Sequence, residues 1–246
     1  MLPFWIALQF LTVIPVRLSR IPSQSENAQS VLYYPFVGLF IGLILYVLSL
    51  LLNPVPHLLS ASVILVIWVW LTGGLHLDGL ADTADAWVGG FGNKQRTLDI
   101  MKDPSCGPIG VLSLFALCLL KFSCIYVLLE QNLGLFLLFV LMLGRIVPLI
   151  LLLTTTYVRE KGLARQLVDH LPRGFAWLIS GMVLLSLIYW KLQGILSLLF
   201  FVGGLSYLRQ IFIKRINGIT GDTIGASIEL LETLLLLSFS LIGFYL

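Results

Sequence analysis

The densest collection of reactive groups in the chain is the run Gly73-Gly-Leu-His76-Leu-Asp78-Gly-Leu-Ala-Asp82-Thr-Ala-Asp85. On a helix, Asp78, Asp82 and Asp85 fall at i, i+4 and i+7, which places three carboxylates on one face over two turns. Three like charges on one stripe repel unless something positive stands among them. A divalent cation resolves this: Mg2+ takes oxygen ligands and commonly shares them between carboxylates and substrate phosphates. A solvated helix end is the plainer alternative, but these acids follow an apolar run instead of opening a helix. His76, just ahead of Asp78, is a candidate for contact with substrate.

Two further segments carry chemistry. In Arg96-Thr-Leu-Asp99-Ile-Met-Lys102-Asp103-Pro104, a short amphipathic helix is expected, ended by the proline, with Arg96 and Lys102 able to hold phosphate. Gly107 and Gly110 open the next apolar run and allow a ligand to approach the backbone closely. Near the other end, Asp222 stands where a helix N-cap belongs, so a structural and a binding role are both open. Glu229 and Glu232 lie about 8–12 Å into the last apolar run at the helical rise. Ionisable groups at that depth face a polar cavity or each other. Lys121 and Arg145, the basic residues well inside apolar runs, are their expected partners, whether for ion pairing or for bound phosphate. Tyr157-Val-Arg159-Glu-Lys-Gly-Leu163 with Arg165 supplies a second basic cluster.

The elements that must position these groups are membrane helices. Of 246 residues, 59% are hydrophobic and 11% charged, where soluble domains carry about 25% charged residues; the mean hydropathy is +1.01. Seven apolar runs are long enough to cross a bilayer: 31–52, 58–77, 108–129, 133–154, 174–191, 194–212 and 224–246. Residues 1–16 are apolar but short, bracketed by Pro3 and Pro15, and fit a surface-lying or re-entrant helix. The expectation is a single all-α, polytopic domain over 1–246, with no room for a separate soluble one. Cys106, Cys118 and Cys124 lack metal-ligand spacing and read as small buried hydrophobes.

Segments 17–30, 78–107, 155–173 and 209–223 hold twelve of the fifteen Lys and Arg, and among the twelve acids only Glu130 falls in a connection on the other side. The positive-inside rule places these four segments, the N-terminus and the reactive groups in the cytoplasm. Chemistry confined to one side disfavours a pore, and no internal repeat of the kind many transporters carry is visible.

With these residues in view, the chain resembles the cobalamin-5'-phosphate synthase family, the adenosylcobinamide-GDP ribazoletransferases. Gly73–Asp85 closely matches the family signature. Further matches follow in order: Phe10-Leu-Thr-Val-Ile-Pro15, Tyr34-Pro-Phe-Val-Gly38, Leu98-Asp-Ile-Met-Lys-Asp103, Tyr157-Val-Arg159 with Gly162-Leu163, and Thr220-Gly-Asp222-Thr-Ile-Gly-Ala226. The chain departs in having Val13 where an arginine is common, and in Pro104 and Pro108. The resemblance implies an enzyme of the bacterial or archaeal inner membrane that joins adenosylcobinamide-GDP to α-ribazole or its 5'-phosphate, releases GMP and requires Mg2+. Under it, Asp78, Asp82 and Asp85 hold the metal, with Asp82 and Asp85 also catalytic. Arg96, Lys102 and Arg159 clamp phosphate, and Asp103, Asp222, Glu229 and Glu232 line the opposite wall, Asp103 as a further metal ligand. The partners expected are the two substrates and the lipid bilayer, with no nucleic acid; a second copy of the chain or other enzymes of the same pathway are open. The rivals are a CDP-alcohol phosphotransferase or membrane prenyltransferase, whose aspartate patterns differ from Asp78–Asp85, and a cation or proton transporter using the intramembrane charges.

Overall fold

The computed structural model describes residues 2–159 and 163–245. The chain is helical throughout this region, in the order α1 (Leu2–Leu11), α2 (Gln24–Ser30), α3 (Tyr34–Leu51), α4 (His57–Thr72), α5 (Leu75–Gly89), α6 (Lys94–Ile100), α7 (Pro108–Glu130), α8 (Phe136–Gly144), α9 (Val147–Thr154), α10 (Leu163–His170), α11 (Arg173–Ser186), α12 (Lys191–Ile216) and α13 (Gly221–Tyr245).

Five helical stretches are long and apolar enough to cross a membrane, or six if the bent pair α4–α5 is one span. One of the five, Arg173–Ile216, has 44 residues, roughly 66 Å of helix against about 30 Å of hydrocarbon. It reverses instead of running on. Lys191 has φ 51°, and the Trp190 ring packs 4.7 Å from Phe136 at the start of α8. The far ends return to the close of α9, where the Arg173 guanidinium donates to Leu153 O at 2.8 Å and that of Arg209 to Thr154 O at 2.6 Å. The stretch is therefore two passes. Together with α3, α4, α7, the broken pair α8–α9 and α13, it accounts for the seven apolar runs.

Three details differ from the sequence reading. The second run does not continue to residue 77. It stops at Thr72, because Gly73 and Gly74 both adopt left-handed backbone at φ 62° and 68°, a conformation only glycine takes without strain. The chain turns by 88° into α5, so α5 lies across the bundle end and is not the tail of a crossing helix. Residues 17–30 also contain a helix, α2, which opens with a capping box between Ser23 and Glu26. Among the cysteines, Cys124 is buried, Cys118 half-buried and Cys106 exposed, because Cys106 stands in the loop ahead of α7. The N-terminal helix is short, as expected, with Ala7, Leu8 and Leu11 joining the main core.

Candidate functional site

The acidic stripe is carried by α5, which packs on α13 and α7. The α5–α13 crossing is backbone on backbone. A Cβ added at Gly79 would stand 2.8 Å from Asp222 O, and one at Gly225 would stand 3.3 Å from the Cα of His76. Small residues at a helix crossing let the two axes approach this closely. The approach sets Asp222, in the first turn of α13, beside the stripe. Asp222 does not cap that helix. Thr220 does: its Oγ1 accepts from the Thr223 N–H at 3.2 Å, while the Thr220 N–H donates back to Thr223 Oγ1 at 2.8 Å. This corrects the N-cap reading and leaves the Asp222 carboxylate for another partner.

That partner is Arg159, whose Nη2 lies 2.6 Å from Asp222 Oδ2 and also donates to Met101 O at 3.4 Å. A single β-bridge, Tyr157 to Ile219, holds the segment in place, with the Val158 N–H donating to Ile219 O at 2.9 Å. One arginine thereby ties the end of α6 to the start of α13. Glu160, Lys161 and Gly162 of the basic cluster lie outside the described residues.

The three stripe aspartates are not equivalent. Asp85 accepts the Gly107 N–H at 2.7 Å and the Gly110 N–H at 2.9 Å, one on each oxygen. These are backbone donors from the first turn of α7 and the residue before it, groups that no helix satisfies internally. A Cβ at Gly107 would stand 2.5 Å from Asp85 Oδ1, so what approaches these glycines closely is the protein's own carboxylate. Asp78 is exposed and Asp82 half-buried, and neither has a hydrogen bond or ion pair within the described chain. Partial burial and then the neighbouring Asp78 and Asp222 push the Asp82 carboxyl from 3.8 up to about 6, against the opposing pull of Arg159.

The remaining expected site residues fall into two groups. Arg96 and Lys102 are exposed on and just after α6, at the same end of the molecule, with α6 capped by Asn93 Oδ1 accepting from the Arg96 N–H at 3.0 Å. Asp103 is exposed too, but it is engaged by a local turn: its Oδ1 accepts the Ser105 N–H at 2.9 Å, which holds its carboxyl low. Glu229 and Glu232 are not in the stripe's surroundings. Both are buried, with Lys121 Nζ 2.6 Å from Glu229 and 2.8 Å from Glu232, and Arg145 Nη1 2.5 Å from Glu232. Two acids and two bases form a charge-balanced set inside the bundle, in which Arg145 Nε and Nη2 are left without a hydrogen-bond partner among the described residues, and Lys121 also lies over the Trp68 ring at 4.3 Å.

A pocket of about 210 Å3 opens beside the stripe, and Asp78, His76 and Asp222 are among its lining residues. Phe10 and Tyr34 also line it, though neither carries a charge or a ligand spacing that would mark it as functional in the sequence. Arg215 has a structural task that its place in a basic segment does not reveal: it donates to Trp87 O at 3.0 Å and to Thr97 Oγ1 at 3.1 Å and lies over the Trp87 and Phe91 rings, fastening α12 to α5 and α6.

Among the described residues no three His, Cys, Asp or Glu converge as an all-protein metal cage. The stripe offers something else: Asp78 and Asp82, unpaired oxygen donors on successive turns. Mg2+ is usually held by one or two carboxylates with substrate phosphates and water completing its shell. The donors present fit that mode.

Fold and site together define a polytopic helical membrane protein with an acidic, partly solvated site at one end of its bundle. The model of the cobalamin-5-phosphate synthase family matches residues 3–240, and the chain belongs to that family. It is 60% identical over 246 residues to the adenosylcobinamide-GDP ribazoletransferase of Acinetobacter baumannii strain ATCC 17978, covering 100% of both chains. It is 50% identical over 242 residues to the protein of that name from Pseudomonas fluorescens Pf-5, covering 98% of this chain and 100% of the relative. With the Pseudomonas putida KT2440 protein of that name it shares 48% over 242 residues, covering 98% of this chain and 99% of the relative. No solved structure matches the chain.

Proposed function

We propose that this chain joins adenosylcobinamide-GDP to α-ribazole or α-ribazole 5'-phosphate, forming adenosylcobalamin or its 5'-phosphate and releasing GMP. The observation that carries the reading is end-to-end identity of 60% with a ribazoletransferase, in a chain whose stripe leaves two carboxylates without an ion-pair partner among the described residues.

In the reaction, a ribose hydroxyl oxygen attacks the phosphorus that carries the corrinoid chain. An O–P bond forms, the bond from that phosphorus to the bridging oxygen of GMP breaks, and GMP leaves with the bridging oxygen. Asp82 takes the hydroxyl proton; a carboxyl that titrates near 6 is well matched to that task at neutral pH. Asp78 would hold Mg2+, which neutralises diphosphate charge and steadies the leaving phosphate when bound. Asp85 fixes the Gly107–Gly110 turn and so the shape of the site wall. Arg96 and Lys102, exposed and without an ion pair among the described residues, attract the anionic substrate, and Arg159 orients Asp222 at the opposite side. Positioning and electrostatics of this kind account for most phosphoryl-transfer catalysis.

The basic content of these segments supports a cytoplasmic position for this end of the bundle, by the positive-inside rule, in a bacterial inner membrane. Cys106, exposed at that end, gives a direct check: a membrane-impermeant maleimide should modify it in opened cells and not in intact ones. For the reaction, detergent-purified protein is supplied with adenosylcobinamide-GDP, α-ribazole 5'-phosphate and Mg2+, and GMP release is followed beside an Asp82→Asn control. Mg2+-dependent product that disappears in the variant is expected. No product from folded protein overturns the reading.

A further inference from the structure

The pocket beside the stripe is too small for most of what the reaction must bind. At about 210 Å3 it falls below the roughly 300–1,000 Å3 that encloses a drug-sized molecule. A corrin macrocycle and a whole nucleoside diphosphate both exceed it, while one bicyclic ring fits.

Its walls narrow the occupant further. Phe10 and Tyr34 stack at 6.0 Å between ring centroids with 19° between planes, and both line the pocket. Such a pair presents a flat π surface that a third flat ring extends. Leu11, Pro148, Leu152 and Ile228 supply apolar wall, where a base with many polar edge atoms, such as guanine, would leave them unsatisfied. His76 is among the residues that line the same pocket and is only 5% exposed, and its buried Nδ1 has no hydrogen-bond partner among the described residues. Asp78 and Asp222 complete the lining, which makes the pocket continuous with the acidic site.

We propose that this pocket seats the base of the acceptor nucleoside. The ligand class is a flat, mostly apolar benzimidazole stacked on the Phe10–Tyr34 pair with His76 beside it, its ribose reaching past Asp78 toward Asp82, one turn further along α5. This rests on the transferase reading and adds to it which substrate enters the bundle and which stays outside: the corrinoid and the guanosine remain in the open cytoplasmic half of the site. It also gives a task to the two N-terminal motifs, Phe10–Pro15 and Tyr34–Gly38, which metal and phosphate chemistry leaves without one.

The test is equilibrium binding to the detergent-solubilised full chain, with α-ribazole, 5,6-dimethylbenzimidazole, adenosylcobinamide-GDP and GMP as separate probes. In the wild type, 5,6-dimethylbenzimidazole is expected to compete with α-ribazole and to displace neither GMP nor adenosylcobinamide-GDP. Filling the pocket with Leu152→Trp is expected to weaken α-ribazole by about tenfold or more, with adenosylcobinamide-GDP held within about twofold. Ile228→Phe, a smaller filler, gives the same ordering if the tryptophan variant does not fold, and the wild-type competition needs no variant. His76→Phe keeps the ring and removes its nitrogens, and is expected to weaken the free base several-fold; unchanged affinity takes His76 out of the assignment. Competition of the base with GMP overturns the proposal, as do folded fillers that spare α-ribazole or weaken both substrates equally. A chain that binds neither substrate fails the transferase reading itself. Binding of both substrates without competition by the base fails only the pocket.

Discussion

The molecule contains two acidic clusters, and their surroundings are opposite. Glu229 and Glu232 lie inside the bundle, each within 3 Å of a cation: Lys121 at 2.6 and 2.8 Å, Arg145 at 2.5 Å. Asp78 and Asp82 lie at its end, on a helix turned 88° from the preceding one, with no ion-pair partner among the described residues. A charge in low dielectric is tolerable only when paired, and the buried acids are balanced by the protein's own cations. A charge that water still reaches can be left unpaired, and repulsion among its neighbours then favours whatever positive group arrives. Depth alone does not mark a functional acid; the acids without partners are the ones available to a substrate.

The sharpest way to break this contrast is Glu232→Gln. It strands Arg145, which is 0% exposed, and is expected to destabilise the fold by about 3–5 kcal/mol, seen as a lowered detergent unfolding temperature. Removing both partners together should cost less than the two single losses summed. If Glu232→Gln instead keeps full stability and abolishes only turnover, the buried cluster belongs to the site.

Next in size, Asp78→Asn and Asp82→Asn are expected to lower turnover roughly 100- to 1,000-fold while leaving the unfolding temperature unchanged or slightly raised, since each removes a like-charge neighbour. GMP release and a thermal melt on the same preparations decide this. Asp85→Asn should behave as a hybrid. It replaces a charged acceptor of two backbone N–H groups, a loss of about 1.5–3 kcal/mol, so stability and turnover fall together.

The smallest effect is in pH. The Asp82 carboxyl is raised to about 6, so turnover that needs its anion should fall as pH drops through about 6, and the limb should vanish in Asp82→Asn. For stability the sign reverses. A raised carboxyl favours folding when protonated, so its contribution is full below 3.8 and lost as pH rises through about 6. A pH–rate profile without an acidic limb in the wild type would remove Asp82 from proton transfer.

The sequence by itself determined a great deal: the polytopic helical architecture, the helix carrying Asp78, Asp82 and Asp85, the short α6 ending before Pro104, and the pairing candidates for the buried glutamates. These follow from composition, 3.6-residue spacing and the cost of isolated charge in hydrocarbon, all local or one-body properties of the chain. What only the tertiary structure decided was which neighbours each group has. The apolar run read as continuing through Gly73 and Gly74 to residue 77, whereas the chain turns there by 88° and α5 packs against α13 through Gly79 and Gly225. Asp85 looked like its two fellows until the start of α7 came to it. Asp222 looked like a cap until Thr220 proved to be one. Glu229 and Glu232 are separated from Lys121 by more than a hundred residues, and Phe10 and Tyr34 meet only because α1 folds onto α3. Spacing along one helix is set by backbone geometry, whereas the partner across a crossing is set by which surfaces fit, and that information is distributed over the whole chain.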